Sequence, residues 1–125
     1  MRRGFTLIEL LVVVVVIGLL AGLSISGARQ ARSRSLGAAM HSDLRNLAVA
    51  QENHFAQHGA YVGNVAELPI NASPGVSLVV TAADSSGWGA TAQHPGASNP
   101  KCAIFHGAPP AVPEPAVSEG VIACE

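Results

Sequence analysis

A chain of 125 residues with 7 Lys and Arg against 8 Asp and Glu has room for one small domain and an appendage. Its net charge of −1 excludes a broad basic field for nucleic acid and a solvating acidic tail. Only 12% of residues are charged and 49% are apolar, which excludes an ordinary soluble surface unless the apolarity is concentrated, and nearly all the excess lies between Phe5 and Leu23.

From Phe5 to Ile25 the chain reads FTLIELLVVVVVIGLLAGLSI, with Glu9 as its single ionisable residue. About twenty residues of helix rise about 30 Å, enough to cross a hydrocarbon core. Arg2 and Arg3 precede the run, and Arg29, Arg32 and Arg34 follow it. The short leader and the small domain behind the span favour a cytoplasmic N-terminus. Three readings fit the segment. One is a secretory signal, with Arg2 and Arg3 as its basic region and small residues near Ser24 to Ala28 as its cleavage site. Its apolar core is long for that purpose, and Glu9 interrupts it. The second is a plain anchor. The third gives Glu9 a task, because a carboxylate inside a span costs about 2.5–3.5 kcal/mol on insertion scales and such residues usually have a partner. The place of Glu9 near the helix start softens that cost.

Gly18, Gly22 and Ser26 recur at four-residue spacing and form a small-residue face on which helices approach closely in lipid. Glycine is also simply common in membrane helices, and that reading stands beside the first. Beyond Ala28 the pattern predicts a continuing helix. Leu36, Met40, Leu44, Leu47 and Phe55, with Ala48 and Gln51, mark one face, while Asp43, Glu52 and His58 fall on the other sides. Arg29, Arg32 and Arg34 fit interfacial charges or a solvated helical turn, with pairing to acids of adjacent copies as the alternative. Gly59 supplies a stop. A helix from Phe5 to His58 would extend about 80 Å, too long for one small domain to bury, so half of it needs lipid or other copies of the chain.

Residues 64–75, with Pro69 and Pro74, predict a connector. Val76–Thr81 predicts a strand, Asp84-Ser85-Ser86-Gly87 a turn and Trp88–Gln93 its hairpin partner. Cys102–His106 predicts a third strand and Gly120–Cys124 a fourth. Between them, Ala108–Pro115 carries four prolines and predicts an extended surface loop. The fold class expected is α+β, a long N-terminal helix packed on a small antiparallel sheet of three to four strands. Cys102 and Cys124 are the only cysteines, and both lie on the side predicted to leave the cytoplasm. An even count there suggests a disulfide rather than free thiols or metal ligands. Such a bond closes a loop of about twenty residues and adds about 3 kcal/mol in the chain-entropy picture.

No phosphate-cradling glycine loop, nucleophile elbow or acid/base pair stands out, so neither catalysis nor a cofactor is expected. Among His41, His54, His58, His94 and His106, only His54 and His58 share a helical face at four-residue spacing. The segment reads His-Phe-Ala-Gln-His and lacks the metalloprotease pattern, no acid is placed to complete a ligand set, and no metal is expected.

The segment Gly4-Phe5-Thr6-Leu7-Ile8-Glu9-Leu10, after a short basic leader and before a long apolar run, resembles the processing site of type IV prepilins and type II secretion pseudopilins. The likeness extends more loosely along the helix to Tyr61 and to the paired cysteines. It implies a prepilin peptidase that cuts between Gly4 and Phe5 and methylates the new amine of Phe5. It also implies an assembly role for Glu9, which neutralises the Phe5 amine of a neighbouring subunit. Related pilins carry a helix-bending proline where this chain has Ser26. The implied organisation is a leader at 1–4, a membrane and filament-core half-helix at 5–28, an amphipathic half-helix at 29–58 and a disulfide-closed head at 59–125. The implied function is a non-enzymatic subunit of a type IV pilus-like filament. Its partners are identical copies, the peptidase, inner-membrane assembly machinery and the membrane itself, with no nucleic-acid contact. The implied location is the bacterial inner membrane and then the extracellular pilus, or the periplasm for a pseudopilin. A secreted or anchored small binding domain is the alternative from outside the family.

Overall fold

The computed structural model describes residues 4–125; the leader charges Arg2 and Arg3 lie outside them. The chain divides into two compact units, the first ending at Arg32 and the second spanning Ser33–Glu125. A single helix, α1 (Leu7–His58), supplies most of the first and the opening of the second.

From Leu7 onward the first unit is helix. An 18-residue stretch of mean hydropathy 2.8 has none of its residues buried, so its apolar side chains require an environment other than this chain. Ser24 and Ser26 turn their hydroxyls back onto the Leu20 and Leu23 carbonyls at 3.0 and 3.2 Å, which satisfies them without water.

In the second unit α1 buries Met40, Leu44, Leu47, Ala50 and Gln51. The predicted face is the observed one, with Leu36 and Phe55 half-buried at its ends. Against it lie four antiparallel strands in chain order, β1 (Ser77–Ala83), β2 (Gly87–Gln93), β3 (Lys101–Gly107) and β4 (Ala123–Cys124). Side chains alternate across a strand, so β2 gives Trp88, Ala90 and Ala92 to the core shared with Met40, Leu44 and Leu47. The small alanines leave room for the helix. Cys102 and Ile104 of β3 pair with Ala92 and Ala90 and continue that surface. The indole N–H of Trp88 is buried without a partner, so this side chain contributes through packing alone.

Two expectations are corrected. Asp43 was placed on an outer face by helical periodicity, yet it is buried, because its carboxylate receives the backbone N–H and hydroxyl of Ser73. The proline-rich stretch is a surface loop, with Ala108, Pro110, Ala111, Val112 and Glu114 exposed, and one of its residues turns inward. Pro113 is buried against β2, where a Cβ on Gly89 would come within 2.6 Å of the Pro113 ring. The segment lies beside β2 at Gly87 and Gly89, while Val79 on the same face of β1 stays exposed. The fourth strand is two residues long rather than five, Ala123 and Cys124, held opposite Ala103 and Cys102. The 64–75 connector also contains a 3₁₀ turn at Val65–Glu67, capped by the Asn64 side chain on the Ala66 N–H at 3.0 Å. Gly59 ends α1 with φ +72, the left-handed conformation that glycine adopts without steric cost.

Candidate functional site

The start of α1 carries a small polar cluster. Thr6 precedes the first residue of α1, and Glu9 sits in the first turn. The Thr6 backbone N–H donates to Glu9 Oε2 at 3.2 Å, and its hydroxyl donates to the same oxygen at 3.1 Å. In return the Glu9 N–H reaches Thr6 Oγ1 at 3.4 Å. This is a capping box, the reciprocal bonding of a threonine cap and a glutamate three residues on, and it satisfies donors that a helix start leaves without partners. The carboxylate also sits favourably at the positive end of the helix dipole. Periodicity and charge counting passed over this role, although Thr6-x-x-Glu9 ahead of an apolar run carries the motif in plain sight.

Both Thr6 bonds converge on Oε2, and a carboxylate offers lone pairs on both oxygens. Glu9 therefore caps its own helix through one oxygen, and among the described residues Oε1 has no hydrogen-bond partner. Gly4 and Phe5 lie just ahead of the helix and are exposed, Phe5 at 77%. Gly18 and Gly22 present open space where a Cβ would stand, so the small-residue face is uncovered within the chain. Arg29, Arg32 and Arg34 are exposed.

In the second unit Cys102 and Cys124 form a disulfide across β3 and β4. The fold brings His41 of α1 beside it, with Nε2 3.3 Å from Cys124 Sγ, a neighbour that sequence spacing could not reveal because 83 residues separate them. With the sulfurs joined, neither offers the thiolate that metal ligation requires. A second cluster ties α1 to the sheet. His106 Nδ1 lies 3.2 Å from Glu119 and its Nε2 3.6 Å from Glu52, while the Tyr61 hydroxyl donates to Glu52 at 3.2 Å. Glu119 also accepts from the Gly107 N–H at 2.7 Å, fixing the 108–120 segment to the end of β3. Burial, and then the charge and hydrogen bond of Glu52, push the Tyr61 phenol above its ordinary 10.0.

The chain thus carries an α+β head and an apolar N-terminal helix, opened by a glycine-aromatic junction with a glutamate in the first helical turn. Residues 1–25 match the model of the prokaryotic N-terminal methylation motif, a stretch that contains Gly4, Phe5, Glu9, Gly18 and Gly22. Over 60 residues the chain is 39% identical to the type IV major pilin protein PilA of Myxococcus xanthus (strain DK1622), a match covering 48% of this chain and 27% of that protein. Together with the fold, these findings liken the chain to type IV pilins, the motif at its N-terminal end and the relative over about half of its length. The aligned stretch spans about a quarter of the relative's length.

Proposed function

We propose that this chain is a structural subunit that polymerises by helix packing into a type IV pilus-like filament after a prepilin peptidase removes residues 1–4. The reading is carried by Glu9, the one ionisable group in an apolar helix end, bonded to Thr6 through a single oxygen. Cutting the Gly4–Phe5 bond removes Arg2 and Arg3, which hold the leader in the cytoplasm, and creates an amine at Phe5. In a bundle of such helices that amine, methylated, donates to Glu9 Oε1 of an adjacent copy. Pairing the two charges avoids leaving each unpaired in a low-dielectric core, and it sets the axial register of the incoming subunit. The uncovered face around Gly18, Gly22 and Ser26 lets neighbouring backbones approach closely. The exposed apolar helix rests in the inner membrane before assembly and in the filament core afterwards, with the disulfide-closed head displayed outside.

Two substitutions separate the roles of Glu9. Glu9→Gln preserves the capping hydrogen bond, since glutamine serves at that position, but removes the charge; Glu9→Ala removes both. Both variants are expected to insert and be cut after Gly4, and both to lower filament yield at least tenfold. Wild-type filament yield from Glu9→Gln rejects the charge pairing. Finding correctly processed chains in short periplasmic assemblies, with no surface fibres by electron microscopy, assigns the chain to a type II secretion pseudopilus instead.

A further inference from the structure

The far end of α1 carries a pair of histidines whose geometry is specific. His54 and His58 stack with ring centroids 4.1 Å apart and planes inclined by 17°. His54 Nδ1 lies 2.9 Å from the Ala60 carbonyl oxygen, and His58 Nδ1 lies 3.1 Å from the His54 carbonyl oxygen. A carbonyl oxygen only accepts, so in both rings Nδ1 carries the proton and, in the neutral imidazole, Nε2 keeps its lone pair. Fixing one ring nitrogen on a carbonyl so that the other faces outward is how proteins orient metal-ligating histidines. The other histidines differ. His94 Nδ1 accepts from the Gly96 N–H at 3.0 Å, His106 stands between two carboxylates, and His41 Nε2 faces the disulfide.

We propose that His54 and His58 form a two-histidine site for a borderline divalent cation, Cu²⁺, Ni²⁺ or Zn²⁺, the ions that imidazole suits. Metal–nitrogen bonds of about 2.0–2.1 Å lie along lone pairs in the ring planes, so the two rings, stacked in the free protein, turn toward a common point when the ion binds. His58 is the last residue of α1, so the ion lies at the negative end of the helix dipole, where a cation is stabilised. Both histidines line a cleft of about 640 Å³ between α1 and the 67–71 segment, together with Asn53, Gln57, Glu67 and Asn71. The cleft leaves room for water on the remaining coordination positions and has an acid, Glu67, on the wall that faces α1. The separation of α1 from the 64–71 segment in sequence hid this acid from pattern reading.

Isothermal titration of Cu²⁺ and Zn²⁺ into the full-length, tag-free protein in detergent tests the site. One ion per chain is expected, with His58→Ala weakening binding at least tenfold and His94→Ala leaving it unchanged. His58 is exposed and bonds only within its own helix, so its variant retains the fold. Histidine-selective NMR gives a second readout, in which substoichiometric Cu²⁺ broadens the ring signals of His54 and His58 before those of His94. The absence of saturable binding, equal affinity in a His54→Gln/His58→Gln double variant, or first broadening at His94 overturns the proposal.

Discussion

The carboxylate of Asp43 on α1 accepts both donors of Ser73, the backbone N–H at 2.8 Å and the hydroxyl at 2.9 Å, across thirty residues of chain. A buried carboxylate is tolerated only when such bonds replace its lost water. Here they pin the 64–75 connector to the helix while Gln51, fully buried, does the same at Val62 through both its amide groups, at 2.7 and 2.9 Å. Asp43→Ala strands the Ser73 donors and is expected to lower stability by about 2–3 kcal/mol. Chemical denaturation measures the loss, and limited proteolysis should show faster cutting within 64–75.

Gly107 adopts φ +68, and a Cβ there would collide with the Ser86 carbonyl oxygen. Gly107→Ala is therefore expected to cost about 2 kcal/mol or more, from the left-handed conformation alone and then the clash. Gly63→Ala meets open space and serves as the comparison, with a change within about 0.5 kcal/mol. Parallel thermal melts of the two variants distinguish them.

Tyr61 is the single tyrosine, so its ionisation is read directly from tyrosinate absorbance. Its phenol is raised above 10.0 by burial first, then by Glu52 and the more distant Glu119. A raised value means that the fold favours the neutral phenol. That contribution is fully present below the unfolded value of about 10 and is lost as pH rises through the higher folded value. Glu52→Gln removes the negative charge and should move the titration midpoint downward, whereas Glu67→Gln should leave it in place.

The disulfide joins residues 22 apart, and β4 has only two residues of its own. The Lys101–Glu125 backbone bonds, at 3.2 and 2.9 Å, add little that would survive alone. Reduction, or Cys102→Ala with Cys124→Ala, is expected to cost about 3 kcal/mol. Amide exchange should accelerate from 108 to 125 well before β1 and β2 respond.

Much of the α+β fold was legible because its signals are local. Leu36, Met40, Leu44 and Leu47 announce a helical face by their spacing, and the Asp84–Gly87 turn between alternating runs announces a hairpin. Asp43 was misplaced for a physical reason: an acid reads as solvent-facing unless a distant donor is known, and Ser73 is distant. Proline content announced the exposed loop at 108–115, but not that Pro113 within it packs beside Gly89. The capping box at Thr6 and Glu9 was legible and passed over, because the charge of Glu9 in an apolar run drew the reading toward partners outside the chain.

By itself, then, the sequence determined the apolar span, its lone acid, the glycine-aromatic junction, the helix stop and the first hairpin, since each depends on covalent spacing and residue type. Only tertiary structure decided which buried carboxylate has donors, what packs beside Gly89, which acids flank His106 and which nitrogen of each histidine is held. Those relationships join residues far apart in the chain, and hydrogen-bond direction and burial exist only once the fold has brought them together.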